Sequence, residues 1–141
     1  MAEKLGLLVE SALYDRVHYG LAIAAAALAV NRPVTLMFSM AAVRALEPAD
    51  AAGRPGWARL AALPGQPDPA EADAALCARG VAGFEELLAA CAALGARLMV
   101  CEMGLRALGL TEADLRGDVT LAPGGLVTFL AETEGGALLL V

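Results

Sequence analysis

One lysine, one histidine, one tryptophan and three cysteines are all that this 141-residue chain holds of several residue types that commonly carry recognition and catalysis. Each shortage excludes something. Nucleic-acid binding needs clustered Lys and Arg to release counterions from phosphates. Here Lys4 stands alone, the nine Arg are scattered and the net charge is −6, so nucleic acid is not an expected partner. A single His18 with Cys77, Cys91 and Cys101, and no C-x-x-C, cannot assemble an ordinary Cys/His zinc site, and no metal is expected. Neither G-x-x-x-x-G-K-S/T nor a strand-following G-x-G-x-x-G occurs, which sets aside P-loop and classical dinucleotide chemistry; no cofactor is expected. Long apolar runs are missing too. The longest, Val17 to Val30, contains His18 and is 14 residues long, against the roughly 20 that a spanning helix needs. The first apolar run, LGLLVE behind Glu3 and Lys4, is too short for a secretory signal. The expected compartment is therefore the cytoplasm, with the cysteines as thiols.

What the chain does have is hydrophobicity, at 59% of its residues. Ala and Leu together supply about two fifths of the chain, against an ordinary apolar usage of roughly 45–50% for all such residues. That excludes disorder as the main state. A domain of this size buries only about two thirds of its surface alone, so the apolar surplus predicts subunit contacts.

Along the chain, strands and helices are expected to alternate. Leu5 to Glu10 reads as a buried strand. A helix capped by Asp15 runs from there to about Val30 and ends at Asn31, a residue suited to the left-handed position. Val34 to Phe38 is a second strand, parallel to the first, and Ser39 to Leu46 a short helix stopped by Pro48. Five of the seven prolines fall between Glu47 and Asp73, a stretch expected to be a long loop with one helical turn around Trp57 to Leu63. A loop of that length is functional or disordered, and its lone Trp57 is expected to dock, on the domain itself or on a neighbour. Phe84, Leu87, Leu88, Cys91 and Leu94 give one apolar face to a helix over Gly80 to Leu94. Arg97 to Cys101 is the third strand, followed by a helix from Glu102 to Leu108 and a capping box at Thr111 and Asp114. Asp118 to Leu121 is expected as strand four, then a helix with Leu126, Phe129 and Leu130 inward. Ala137 to Val141 closes the chain as a buried strand. This alternation predicts one α/β domain over 1–141 with a mostly parallel sheet covered on both faces and a loop insertion at about 47–73.

In open parallel sheets, ligands bind beyond the carboxyl ends of the strands. That rule selects Ser11, Ser39, Met40 and Cys101. Cys101 is placed best: it ends a strand and opens a helix, where free N–H groups of Glu102, Met103 and Gly104 would favour a thiolate, while the Glu102 charge would oppose it. His18 and Tyr14 sit near the same edge, and an imidazole there could pair with the thiolate. Cys91 reads as core and Cys77 as an exposed second thiol.

The segment CEMGLRALGLTEADL, Cys101 to Leu115, resembles the DsrE/DsrF-like family of small sulfur-metabolism proteins. One branch opens this segment with C-x-M-S-M-x-x-M-G-I/L. Cys101, Met103, Gly109 and Leu110 match it, while Gly104, Leu105 and Leu108 replace its serine and two later methionines. GGLVTFL (Gly124 to Leu130) and the opening PVTLMFSM are similar as well. The resemblance implies a three-layer α/β/α sandwich, a five-stranded, mainly parallel sheet ordered 4-3-2-1-5, and a homotrimer or hexamer. It also implies that Cys101 carries sulfane sulfur as a persulfide between donor and acceptor proteins. Two other readings compete with it. One is a non-enzymatic oligomeric binding protein with a pocket near Met37, Met40, Met103 and Trp57. The other is a redox sensor pairing Cys101 with Cys77.

Overall fold

Five apolar segments, each too short and too hydrophobic to stand alone in water, pair into one sheet in the computed structural model, which describes residues 3–141. The first two residues of the expected one-domain span lie outside the described residues. The strands are β1 (Leu5–Val9), β2 (Val34–Phe38), β3 (Arg97–Cys101), β4 (Ala122–Gly124) and β5 (Ala137–Leu140), in the order β4-β3-β2-β1-β5, all parallel. Helices α1 (Tyr14–Ala29), α2 (Pro69–Ala78), α3 (Phe84–Ala93), α4 (Glu102–Leu108) and α5 (Leu126–Glu132) connect them, with 3-10 turns at Met40–Leu46 and Gly56–Arg59. Among the described residues no helix is long and apolar enough to cross a membrane.

Strand alternation sends successive side chains to opposite faces, and the two faces are covered unequally. Leu5, Leu7, Val9, Leu36, Phe38, Leu98 and Val100 belong to the main core with α1 and α3, whose Val17, Leu21, Phe84, Leu88 and Cys91 are buried against them. The other face carries a smaller cluster of Met37, Met99, Cys101 and Phe129, with Leu8 and Ala122 beside it. Its helical cover there is α5, two turns long. The result is a three-layer α/β/α arrangement with one thick and one thin outer layer.

Several local expectations are corrected. Helix α1 begins at Tyr14, with Leu13 in the cap position and Asp15 inside the first turn making no cap bond; Ser11 Oγ accepts the Leu13 N–H instead, at 3.1 Å. Asn31 does take the left-handed conformation, at φ 63°. The end of the Pro-rich stretch is not loop. Asp68 accepts the N–H of Glu71 at 3.0 Å and Pro69 occupies the first turn, so a cap and a prolyl start nucleate α2. Only Pro69 of that helix is buried, which is why no apolar stripe announced it. Gly80, at φ +79°, separates α2 from α3, and α3 accordingly starts at Phe84.

Strand β4 lies at Ala122–Gly124, not at 118–121, because Arg116 and Asp118 are tied to the surface by ion pairs and the chain first reaches β3 where Met99 faces Ala122. Pro123 is tolerated there because β4 is an edge. The largest correction concerns β5. It lies at the edge of the sheet, as the order 4-3-2-1-5 implied, but it is not buried: Leu138, Leu139 and Leu140 are 52, 43 and 68% exposed. On α5 only Phe129 turns inward, while Leu126 and Leu130 face outward.

Candidate functional site

At the carboxyl edge of the sheet the backbone makes one close approach and one strained turn, side by side. Ser39 donates its N–H to Val9 O at 2.8 Å, and the next residue, Met40, sits at φ +47°, a conformation uncommon for any non-glycine residue. Gly104 of α4 packs directly on that turn: a Cβ there would meet Met40 N at 2.5 Å and Val43 Cγ2 at 3.0 Å. Cys101 occupies the cap position of α4 and makes no side-chain cap hydrogen bond. Ser11, Ser39, Met40, Cys101, Glu102, Met103 and Gly104 therefore share one edge, as the strand-end rule requires. Ser39 and Gly104 are buried there, whereas Met40, Glu102 and Met103 are exposed.

Cys101 itself is fully buried, enclosed with Met37, Met99 and Phe129 beneath α5. Tyr14 and His18 do not join it. Both belong to α1, which covers the other face. His18 donates from Nε2 to Ala82 O at 2.9 Å, and its ring lies 5.6 Å from that of Tyr14. The Tyr14 hydroxyl donates to Asp73 Oδ1 at 2.5 Å, and the same oxygen accepts the Phe84 N–H at 2.7 Å. Burial, then the Asp73 hydrogen bond and charge, push the Tyr14 phenol far above its ordinary range, so it is a fixed donor. Cys91 packs in the core, its thiol raised to about 11 by burial. Cys77 is exposed on α2, its Sγ 4.0 Å from Asp73 Oδ2, across the sheet from Cys101; all three cysteines are free. Among the described residues no group of three His, Cys, Asp or Glu side chains is placed to hold a metal ion.

A second constellation was not legible in the sequence. Trp57 docks on its own chain, stacking on Phe84 at 5.4 Å and tilting against Tyr14 at 5.8 Å, while its Nε1 donates to Glu85 Oε2 at 2.7 Å. Glu85 also receives both terminal nitrogens of Arg116, at 2.7 and 2.9 Å, and Arg116 turns Nε and one terminal nitrogen to Asp118, both at 2.7 Å. The guanidinium is thus engaged by two carboxylates. The hydrogen bonds and charge of Arg116 hold the Glu85 and Asp118 carboxyls below their usual range.

A depressed folded-state pKa contributes stability that is present above the unfolded value and lost as pH falls through the folded one. The wild type is therefore expected to lose part of its stability to urea as pH drops below about 4.3, the ordinary glutamate value. Arg116→Met is expected to lose less over that interval. Both carboxylates are more than half exposed, which keeps the effect small. Parallel stability–pH curves for the two proteins would remove the assignment. No protein-family model matches the chain, and comparison with curated proteins returns no match.

Proposed function

We propose that this chain is a small carrier of sulfane sulfur of the DsrE/DsrF-like kind, loaded as a persulfide on Cys101. The observation that supports it best is the position of that thiol, at the carboxyl end of a strand inside a parallel sheet and in the cap position of the helix that follows, beside the strained Met40 turn. The chemistry needs one cysteine and no metal or nucleotide. The Cys101 thiolate attacks the terminal sulfur of a donor persulfide R–S–SH, the donor S–S bond breaks, and R–S⁻ leaves. Cys101 then holds the transferred sulfur as Cys–S–SH, with no net oxidation. An acceptor thiolate takes that sulfur by the same exchange. Since Phe129 and α5 close over Cys101, loading requires α5 to shift away from the sheet. On this reading the carrier works as a homotrimer or hexamer in the cytoplasm, meeting donor and acceptor proteins at the exposed Met40 and Met103.

The burial of Cys101 favours one competing reading, an oligomeric protein without covalent chemistry in which the cysteine only fills the core. Site-mapped mass spectrometry after exposure to a persulfide donor separates the two. The carrier gains the mass of one sulfur on Cys101, and Cys101→Ser abolishes it, although the exposed Cys77 is the faster site for an unselective alkylating reagent. Sulfur found only on Cys77, or no sulfur on any site, sinks the carrier reading.

A further inference from the structure

We infer that β5 is the contact of a two-fold pair of copies of this chain, the two β5 edges joining antiparallel to continue the sheet. The β5 edge is open. Ala137 and Val141 donate their amides inward to Lys4 O and Leu8 O, at 3.0 and 2.9 Å, so by strand alternation the amides and carbonyls of Leu138 and Leu140 point outward. An unshielded edge of that kind is a template for another strand, and β5 has no charge and no proline and, among the described residues, no covering segment.

Its two flanks then select the occupant. On the α1 side lies an apolar groove of about 530 Å³ walled by Ile23, Ala26, Val30 and Leu139. On the α5 side lies another of about 340 Å³ walled by Leu126, Phe129, Leu130, Leu138 and Leu140. A strand added to this edge sends alternate side chains into each groove, so it must be apolar on both faces. Among the described strands at a sheet edge, β5 is the one that is leucine-rich on both. With the two-fold axis beside Leu139, Leu138 of one copy faces Leu140 of the other as a hydrogen-bonded pair, and the two Leu139 face each other on the α1 side.

Charge points the same way. Each copy carries −6, and of the residues lining the two grooves only Arg32 is ionisable, itself turned to Glu3. This is a region where two acidic copies approach without facing carboxylates. The β5 leucines, with Leu126 at 38% and Leu130 at 53% exposed, supply a continuous apolar strip for a contact of the standard size, roughly 800 Å² per partner.

This inference does not rest on the sulfur-carrier reading. Native mass spectrometry of the full chain is expected to give a mass that is an even multiple of the protomer. Leu138→Lys with Leu140→Lys, both at exposed positions that leave the core untouched, is expected to halve the assembly while circular dichroism and melting stay near wild type. In a Cys77→Ser background, Leu139→Cys is expected to form an intersubunit disulfide on mild oxidation, because facing residues of such a pair fall within the disulfide Cα range. Leu63→Cys, at a still more exposed position, is not. A monomer, a trimer, or an assembly indifferent to the two lysines overturns the proposal.

Discussion

Trp57→Ala is expected to lower the free energy of unfolding by about 3–5 kcal/mol, a large share of the roughly 5–15 kcal/mol that a domain has. Three separate interactions end on this one indole. It stacks on Phe84, it packs against Tyr14, and its N–H reaches the carboxylate that also holds Arg116. Its burial at 7% exposure is what fastens the glycine- and proline-rich stretch to the α1–α3 layer. Removing it leaves a cavity beside Phe84 and takes one of its two donors from Glu85 Oε2, which keeps the Arg116 bond at 2.9 Å, and the stretch loses its apolar anchor. Trp57→Phe keeps a ring in the stack and loses only the hydrogen bond to a charged acceptor, which is worth about 1.5–3 kcal/mol. Urea unfolding of the three proteins measures this directly. A loss below about 1 kcal/mol for the alanine variant, within the ordinary spread of single substitutions, would mean that the stretch is held elsewhere.

Gly104→Ala is the second large effect, and its sign is the informative part. In an open helix this change stabilises by about 0.8–1 kcal/mol, since alanine is the better helix former. In α4 the new Cβ would lie 2.5 Å from Met40 N and 3.2 Å from the Ser39 carbonyl carbon, which are backbone atoms that cannot swing aside. Overpacking of this kind costs about 1–3 kcal/mol. The expected result is net destabilisation, with the Met40 turn and Cys101 displaced together. Gly117→Ala is the control, because nothing lies within 4 Å of its Cβ position, and it is expected to change stability by no more than about 0.5 kcal/mol. A stabilised Gly104→Ala protein would show that α4 and the Met40 turn are not packed as described.

The division of labour between sequence and tertiary structure is visible in particular residues. Leu5–Val9, Val34–Phe38 and Arg97–Cys101 were legible as strands because a strand buried on both faces must be apolar throughout. The α3 helix was legible because its apolar residues recur at helical spacing. The carboxyl-edge cluster of Ser11, Ser39, Met40 and Cys101 was legible too, since strand ends in a parallel sheet must converge. Helix α2 was not. It buries one residue, and a helix held by its cap and its alanines leaves no hydrophobic period to read.

Pairings between distant segments depend on three-dimensional proximity and carry no local signal. Trp57 with Glu85, Arg116 with Glu85 and Asp118, and Tyr14 with Asp73 are of this kind. So is the separation of His18 from Cys101: α1, which carries His18, covers one face of the sheet, while the Cys101 side chain belongs to the cluster on the other. By itself the sequence determined the α/β class and the strand-end position of Cys101, because both follow from local periodicity. Only the tertiary structure decided that Cys101 is covered by Phe129 and that the ALLL strand, already expected last in the order 4-3-2-1-5, is left uncovered at its edge. Which helix closes over a side chain, and which edge stays bare, depends on how the helices pack on the finished sheet.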